Sequence, residues 1–122
     1  MIKGIIVGHQ EIGSVIHRAI ECISGACENL FYFTNDGLST GELSAEIVEA
    51  CGDCGDGVII FVDMYGGSCW RAAKMAALPK YNIISGLNLP MLLSFINKRE
   101  SYPLKELAKI IENDGIRGIR LE

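Results

Sequence analysis

The residues best suited to chemistry are one histidine, one aspartate and a glycine-rich turn, each of which follows an apolar run. His9 comes directly after the run IKGIIVG, and Asp63 directly after VIIFV. Gly66, Gly67 and Ser68 form a short turn that opens a helical pattern. A neutral imidazole is a nucleophile near pH 7, and a carboxylate on its other nitrogen would fix its tautomer. Glycine backbone at a helix N-terminus can approach an anion closely. These residue types therefore indicate phosphoryl handling on a histidine.

An alternation of strands and helices must position these residues. Apolar runs predict strands over residues 2–8, 30–33, 58–63 and 81–85, and helical spacing predicts helices over 12–24, 40–50, 69–78, 88–97 and 103–115. Ser68 is the predicted N-cap of the third helix, and Gly115 the predicted end of the last one. The tail IRGIRL, residues 116–121, is a candidate edge strand.

Strand and helix in strict alternation predict an α/β fold of one domain over residues 1–122, with a mainly parallel, doubly wound sheet and helices on both faces. Ligand sites in such sheets lie at the carboxyl ends of the strands, where the strand order reverses. His9 and Asp63 would meet there if the strand order were 2-1-3-4. The spacing of the elements does not determine that order.

Composition excludes several classes of protein. Eleven basic against fifteen acidic side chains give a net charge of -4, which disfavours nucleic acid as a partner. No apolar run approaches the ~18 residues of a membrane span, and the N-terminus resembles a strand more than a signal peptide. Five cysteines, an odd number, predict reduced thiols in a cytoplasmic protein without metal or cofactor.

Other candidate residues have simpler interpretations. His17 lies on the polar side of the first helical pattern near Glu21, so a solvated helix histidine is expected. The pair Cys51 and Cys54 follows a helix, where the dipole disfavours a thiolate, and zinc would need two further ligands. Acidic side chains of the second helix indicate ordinary solvated surface or, alternatively, a docking face for a basic partner; they are Glu42, Glu46 and Glu49.

Three segments resemble the signature regions of a known family. The segments are IIVGHQEIGSVIHRAIECISG, DGVIIFVDMYGGSCWRAA and ISGLNLPMLL. They are similar to the mannose/sorbose-family enzyme IIA domains of the bacterial sugar phosphotransferase system. The resemblance extends over essentially the whole chain and implies the strand order 2-1-3-4. Many members of the family continue into a IIB domain, whereas this chain is expected to be a free-standing IIA protein.

The resemblance also implies site residues and partners. It assigns His9 as the residue that accepts a phosphoryl group from the histidine-containing phosphocarrier protein and passes it to a histidine of enzyme IIB. Asp63 would orient His9, and Ser68 with the backbone of Gly66 and Gly67 would contact the phosphoryl group. It further implies a homodimer in which a C-terminal strand is exchanged between subunits. No cofactor is expected, and no direct membrane insertion.

The chain departs from the family pattern directly after the glycine turn. Family members usually carry proline and, two residues later, asparagine, whereas this chain has Cys69 and Arg71 with Trp70 between them. Trp70 is expected to be a partly buried anchor or a partner contact. These departures leave open an alternative, a regulatory domain not directly coupled to sugar transport. The motif of another phosphotransfer protein with this fold, the dihydroxyacetone kinase subunit, is not found.

Overall fold

The computed structural model describes residues 1–122 and forms one parallel sheet with helices on both faces. The strands are β1 (Lys3–Gly8), β2 (Leu30–Thr34), β3 (Val58–Val62) and β4 (Tyr81–Ser85). The helices are α1 (Ile12–Ser24), α2 (Thr40–Cys51), α3 (Ser68–Ala76), α4 (Leu89–Lys98) and α5 (Leu104–Arg117). The strand order is β2-β1-β3-β4 and every pair is parallel, which confirms the predicted fold class.

Two apolar layers cover the sheet. Alternate residues of β1 and β3, such as Ile5 and Ile60, point to a core formed with α2 and α3. The residues between them, such as Ile6 and Phe61, pack against α1, α4 and α5. Both central strands are therefore buried on both faces, which is why their sequences are continuous apolar runs.

This layering creates the crevice that holds the candidate site. The chain leaves β1 for α1 on one face of the sheet and leaves β3 for α3 on the other. The two connections diverge at neighbouring strands, so their carboxyl ends form a topological switch point. The register pairs Val7 with Val62, and the next residues along both strands reach the open edge.

Side-chain caps begin two of the five helices. Ser39 begins α2 with a capping box, in which its hydroxyl accepts the Glu42 N–H at 3.1 Å and Glu42 accepts the Ser39 N–H at 2.9 Å. Asn88 caps α4 by accepting the Met91 N–H at 3.1 Å. The N-cap of α3 is Gly67 and not Ser68, so that prediction was wrong by one residue. None of the helices is long and apolar enough to cross a membrane.

The C-terminal predictions need correction. The helix α5 does not end at Gly115 but continues to Arg117, and residues 118–122 form no strand within the chain. A Cβ on Gly115 would lie 2.6 Å from the side chain of Met91. This glycine is therefore present because α4 and α5 pack closely there, and not because a helix ends.

The prediction of five free thiols is wrong for one pair. Cys51 and Cys54 are joined by a disulfide, and their Cα atoms are 5.0 Å apart. The turn after α2 brings them together because Cys54 adopts a left-handed backbone with φ of 63°. Cys22, Cys27 and Cys69 are free.

Candidate active site

His9 and Asp63 meet at the switch point between β1 and β3. The Nδ1 atom of His9 lies 2.7 Å from Oδ2 of Asp63. The His9 side chain is 36% exposed, whereas that of Asp63 is 10% exposed. Since a carboxylate accepts hydrogen bonds, this pairing puts the proton of a neutral imidazole on Nδ1 and the free lone pair on Nε2.

The backbone holds the aspartate in place. The same Oδ2 of Asp63 accepts the backbone N–H of His9 at 2.8 Å, and Oδ1 accepts the N–H of Met64 at 2.9 Å. Gln10, the residue after His9, has a φ of 53°, a left-handed conformation that costs free energy in a non-glycine residue. This turn directs the chain away from β1 directly after His9, so the imidazole stays at the mouth of the crevice.

The start of α3 lies beside the imidazole. Gly66 has a φ of 82°, which a glycine adopts without strain. A Cβ built on Gly67 would lie 3.5 Å from Cε1 of His9, so the turn backbone passes close to the ring. The N–H groups of Ser68, Cys69 and Trp70 have no backbone acceptor. Free N–H groups and the helix dipole make this place suitable for an anion.

Cys69 lies beneath the histidine and is fully buried. Its Sγ is 3.8 Å from Nδ1 of His9. Burial, and then the charge of Asp63, raise the pKa of the Cys69 thiol to about 11. The thiol is therefore neutral near pH 7.

The three side chains at this point also offer metal ligands. Ligand atoms of His9, Asp63 and Cys69 lie within 4.8 Å of one another. Two ligands of a tetrahedral zinc ion, each about 2.0 Å from it, are about 3.3 Å apart. The nitrogen and oxygen of His9 and Asp63 are only 2.7 Å apart, so this spacing fits a shared proton better than an ion.

We expect the Cys69 thiol to be slow to alkylate in the folded protein. Only the thiolate reacts, and both burial and the raised pKa suppress it. At pH 7.5, Cys69 should react with iodoacetamide at least about tenfold more slowly than exposed Cys22, and faster as the pH rises. Peptide mass spectrometry after timed alkylation measures both rates. Equal rates in the folded protein would contradict the buried placement.

The other departures from the family pattern lie at the rim of the site. The Trp70 ring packs against Tyr65, with ring centroids 4.9 Å apart, and the Lys74 ammonium lies 5.8 Å from the Trp70 ring centroid. Tyr65 is 75% exposed and Trp70 is half-buried, as predicted, whereas Arg71 is exposed. These residues leave the contact between His9 and Asp63 intact.

His17 is not the solvated residue that its position in the helical pattern predicted. Its side chain is 13% exposed, and its ring packs against Tyr32 with centroids 5.0 Å apart. Nε2 lies 3.0 Å from the carbonyl oxygen of Leu30, and Nδ1 lies 3.2 Å from Glu21. Both ring nitrogens are engaged because α1 packs over the start of β2, a contact that helical periodicity alone does not show.

Asn35 is a residue of the site that sequence reasoning missed. It lies just after β2, and its Nδ2 donates a hydrogen bond to Oγ of Ser68 at 3.0 Å. The available signal was its position, because β2 neighbours β1 and its carboxyl end faces the same edge of the sheet. Asn35 was not singled out because it lies in the turn-rich sequence TNDGLSTG, and asparagine is common in turns.

Comparison with known proteins gives consistent results. A family model for EIIA-man, described as "PTS system fructose IIA component", matches residues 3–112. The fructose-specific EIIA component of Bacillus subtilis is 31% identical over 114 residues, which cover 88% of this chain and 77% of that protein. The mannose-specific EIIAB component of Escherichia coli K12 is 27% identical over 98% of this chain, which spans only 39% of that longer protein.

Solved structures show the same fold. A phosphotransferase system component EIIA from Streptococcus agalactiae superimposes with a TM-score of 0.93 at 24% identity, covering 99% of this chain and 97% of that one. The mannose/sorbose-specific IIA subunit from Enterococcus faecalis gives a TM-score of 0.78 at 20% identity, with 98% and 93% covered. With the family match and the Bacillus relative, the chain belongs to the mannose-type EIIA family and is a component of the bacterial sugar phosphotransferase system.

Proposed function

We propose that the chain is a phosphoryl carrier with His9 as the phosphorylated residue. It accepts the group from the histidine-containing phosphocarrier protein and passes it to enzyme IIB for sugar uptake and phosphorylation. The observation that carries the proposal is the 2.7 Å contact of His9 Nδ1 with Asp63, which leaves Nε2 free at the mouth of the crevice. This role would place the protein in the cytoplasm with its partners.

The transfer step follows from this geometry. The Nε2 lone pair of His9 attacks phosphorus, while the bond from phosphorus to the donor's histidine nitrogen breaks and that nitrogen keeps the electron pair. The His9 ring gains positive character as the new bond forms, and the Asp63 carboxylate stabilises it through the Nδ1 proton. In the second transfer, the histidine of enzyme IIB attacks the phosphorus on His9 and the bond from phosphorus to Nε2 breaks. His9 then becomes neutral again.

The start of α3 would hold the phosphoryl oxygens. Unpaired N–H groups of its first turn can donate to those oxygens, and Gly66 and Gly67 let the backbone come near the ring. The hydroxyl of Ser68 is a further donor. These groups are fixed before the reaction, so they stabilise developing charge without reorganising.

The regulatory alternative receives no support from the site. Its only basis was the change at residues 69–71. Cys69 lies beside an intact pairing of His9 with Asp63, and Trp70 packs against Tyr65.

A transfer assay tests the proposal. The chain is incubated with phosphocarrier protein that carries radioactive phosphate, and the label is followed onto the chain and then onto an added enzyme IIB. We expect acid-labile, alkali-stable label on the chain within the time that the donor loses it. Failure to accept label from several such donors would contradict the carrier function.

We also propose a homodimer that depends on the C-terminal tail. The outer edge of β4 has no partner strand in the chain, while the tail residues Ile119 and Leu121 are 74% and 101% exposed. An unpaired edge readily adds a strand from another chain. A short tail cannot return to its own sheet as a parallel strand, since such a connection needs about a dozen residues.

Deletion of residues 119–122 should therefore convert dimer to monomer in sedimentation velocity at micromolar concentration. The variant Glu122→Gln is a control that keeps the apolar tail and should remain dimeric. A monomeric parent chain, or an unchanged mass after the deletion, would count against the exchange.

A further inference from the structure

A side-chain hydrogen bond connects the segment after β2 with the first residue of α3. Nδ2 of Asn35 lies 3.0 Å from Oγ of Ser68, and the two residues are 33 positions apart in the chain. Both side chains are half-buried. The bond crosses the crevice edge on which His9 lies, because β1 is the neighbour of β2 and α3 starts beside the imidazole.

Asn35 must be the donor in this hydrogen bond, so the Ser68 proton is not used in it. An amide nitrogen is only a donor, so the Ser68 oxygen is the acceptor. A hydroxyl carries one proton, which this contact leaves unused. Ser68 follows Gly67, and a Cβ built on Gly67 would lie 3.5 Å from Cε1 of His9, the atom between the two ring nitrogens. Asn35 thus does not take the Ser68 proton, and Ser68 lies directly after the glycine turn that passes the imidazole.

We infer that Asn35 is a positioning residue for phosphoryl transfer, because its amide occupies the acceptor side of Ser68 and reserves the hydroxyl proton for a phosphoryl oxygen. This inference rests on the proposed function of His9. Without Asn35, the serine hydroxyl is free to rotate and to donate to nearby backbone carbonyls. Part of its stabilisation of the phosphoryl group would then be lost.

Two substitutions separate the contributions. Asn35→Ala removes the donor and should slow phosphorylation of His9 about three- to tenfold, less than the loss of a whole transition-state donor. Asn35→Asp replaces the donor by an acceptor that competes for the Ser68 proton and adds a negative charge, so we expect a decrease of about ten- to a hundredfold. Asp36→Asn is the matched control, because Asp36 is the exposed neighbour with no side-chain contact to the site.

The decisive experiment is a double-mutant cycle with phosphoramidate as the phosphoryl donor. Phosphoramidate releases ammonia as its phosphorus–nitrogen bond breaks, and it requires no partner protein. In the Ser68→Ala background, Asn35→Ala should change the rate by less than about twofold, because the group that it positions is already gone. Asn35→Ala should likewise change the half-life of the phosphorylated chain when Ser68 is present, but not in the Ser68→Ala background. The unfolding midpoint in urea should show no such coupling between the two substitutions.

Each result bears on the inference. Full additivity of Asn35→Ala and Ser68→Ala, or a wild-type rate for Asn35→Asp, would overturn it, as would failure of phosphoramidate to label His9. If phosphoramidate labels His9 but no phosphocarrier protein does, the proposed function fails while the role of Asn35 is still judged by the cycle.

Discussion

Replacement of His9 by alanine is expected to reduce phosphoryl acceptance to background, a loss of at least about a thousandfold, as for removal of other enzymatic nucleophiles. The change deletes the nitrogen that attacks phosphorus, and the only other histidine cannot substitute for it. His17 is 13% exposed, and its ring nitrogens face the Leu30 carbonyl and Glu21. Transfer of radioactive phosphate from the phosphocarrier protein, followed by peptide mapping, measures the effect.

The control for this experiment is His17→Gln, which removes the second imidazole and keeps a side chain that can donate to the Leu30 carbonyl. It should accept phosphate at about the wild-type rate. Label retained by His9→Ala, or lost in His17→Gln with the fold intact, would show that His9 is not the carrier residue.

Replacement of Asp63 by asparagine should slow transfer by roughly ten- to a thousandfold, which corresponds to about 1.4 to 4 kcal/mol of barrier. Asp63 accepts from both Nδ1 and the backbone N–H of His9 through one oxygen, and from Met64 through the other. The asparagine amide has the same shape but only one accepting oxygen, so its NH₂ group must face one or more of these N–H donors. It also lacks the charge that stabilises the phosphorylated ring, and an interaction that grows along the reaction affects rate more than binding.

A matched control exists in Asp53→Asn. Asp53 also accepts a backbone N–H, from Gly55 at 3.0 Å, but it is exposed in the turn after α2, outside the site. Asp53→Asn should transfer phosphate at the wild-type rate, so the slowing expected of Asp63→Asn is not a general effect of removing one carboxylate. A wild-type rate for Asp63→Asn would mean that its contact with His9 plays no part in the reaction.

Most of the framework could be predicted because apolar periodicity reports burial directly. The runs that became β1 and β3 are buried on both faces, and the spacing of apolar residues predicted α1 from Ile12 to Ser24. The strand order, by contrast, could not be predicted from apolar periodicity. It depends on which faces the crossover helices cover, so element spacing left it open and the family resemblance supplied it.

Two of the errors arose where one residue type serves two purposes. Gly115 resembles a helix terminator, yet it lies within α5 because Met91 of α4 occupies the space of its side chain. His17 resembles a surface residue, yet β2 closes over it. In both cases a contact between elements, which a single chain pattern does not contain, determined the outcome.

The site was partly accessible from the sequence. Residue type and a place after a strand were enough to single out His9, Asp63 and the turn at residues 66–68. The structure brings these residues together. Asn35 and the buried contact of Cys69 with His9 could not be found in this way. Both depend on distances across the crevice between segments far apart in the chain.

In the proposed mechanism, Asp63 holds Nδ1 of His9 and leaves Nε2 to carry the phosphoryl group. Phosphorus–nitrogen correlation NMR on the phosphorylated protein, prepared with nitrogen-15 histidine, tests it most directly. We expect phosphorus coupled to Nε2 of His9, with Nδ1 still protonated. Coupling to Nδ1, or to either nitrogen of His17, would contradict it.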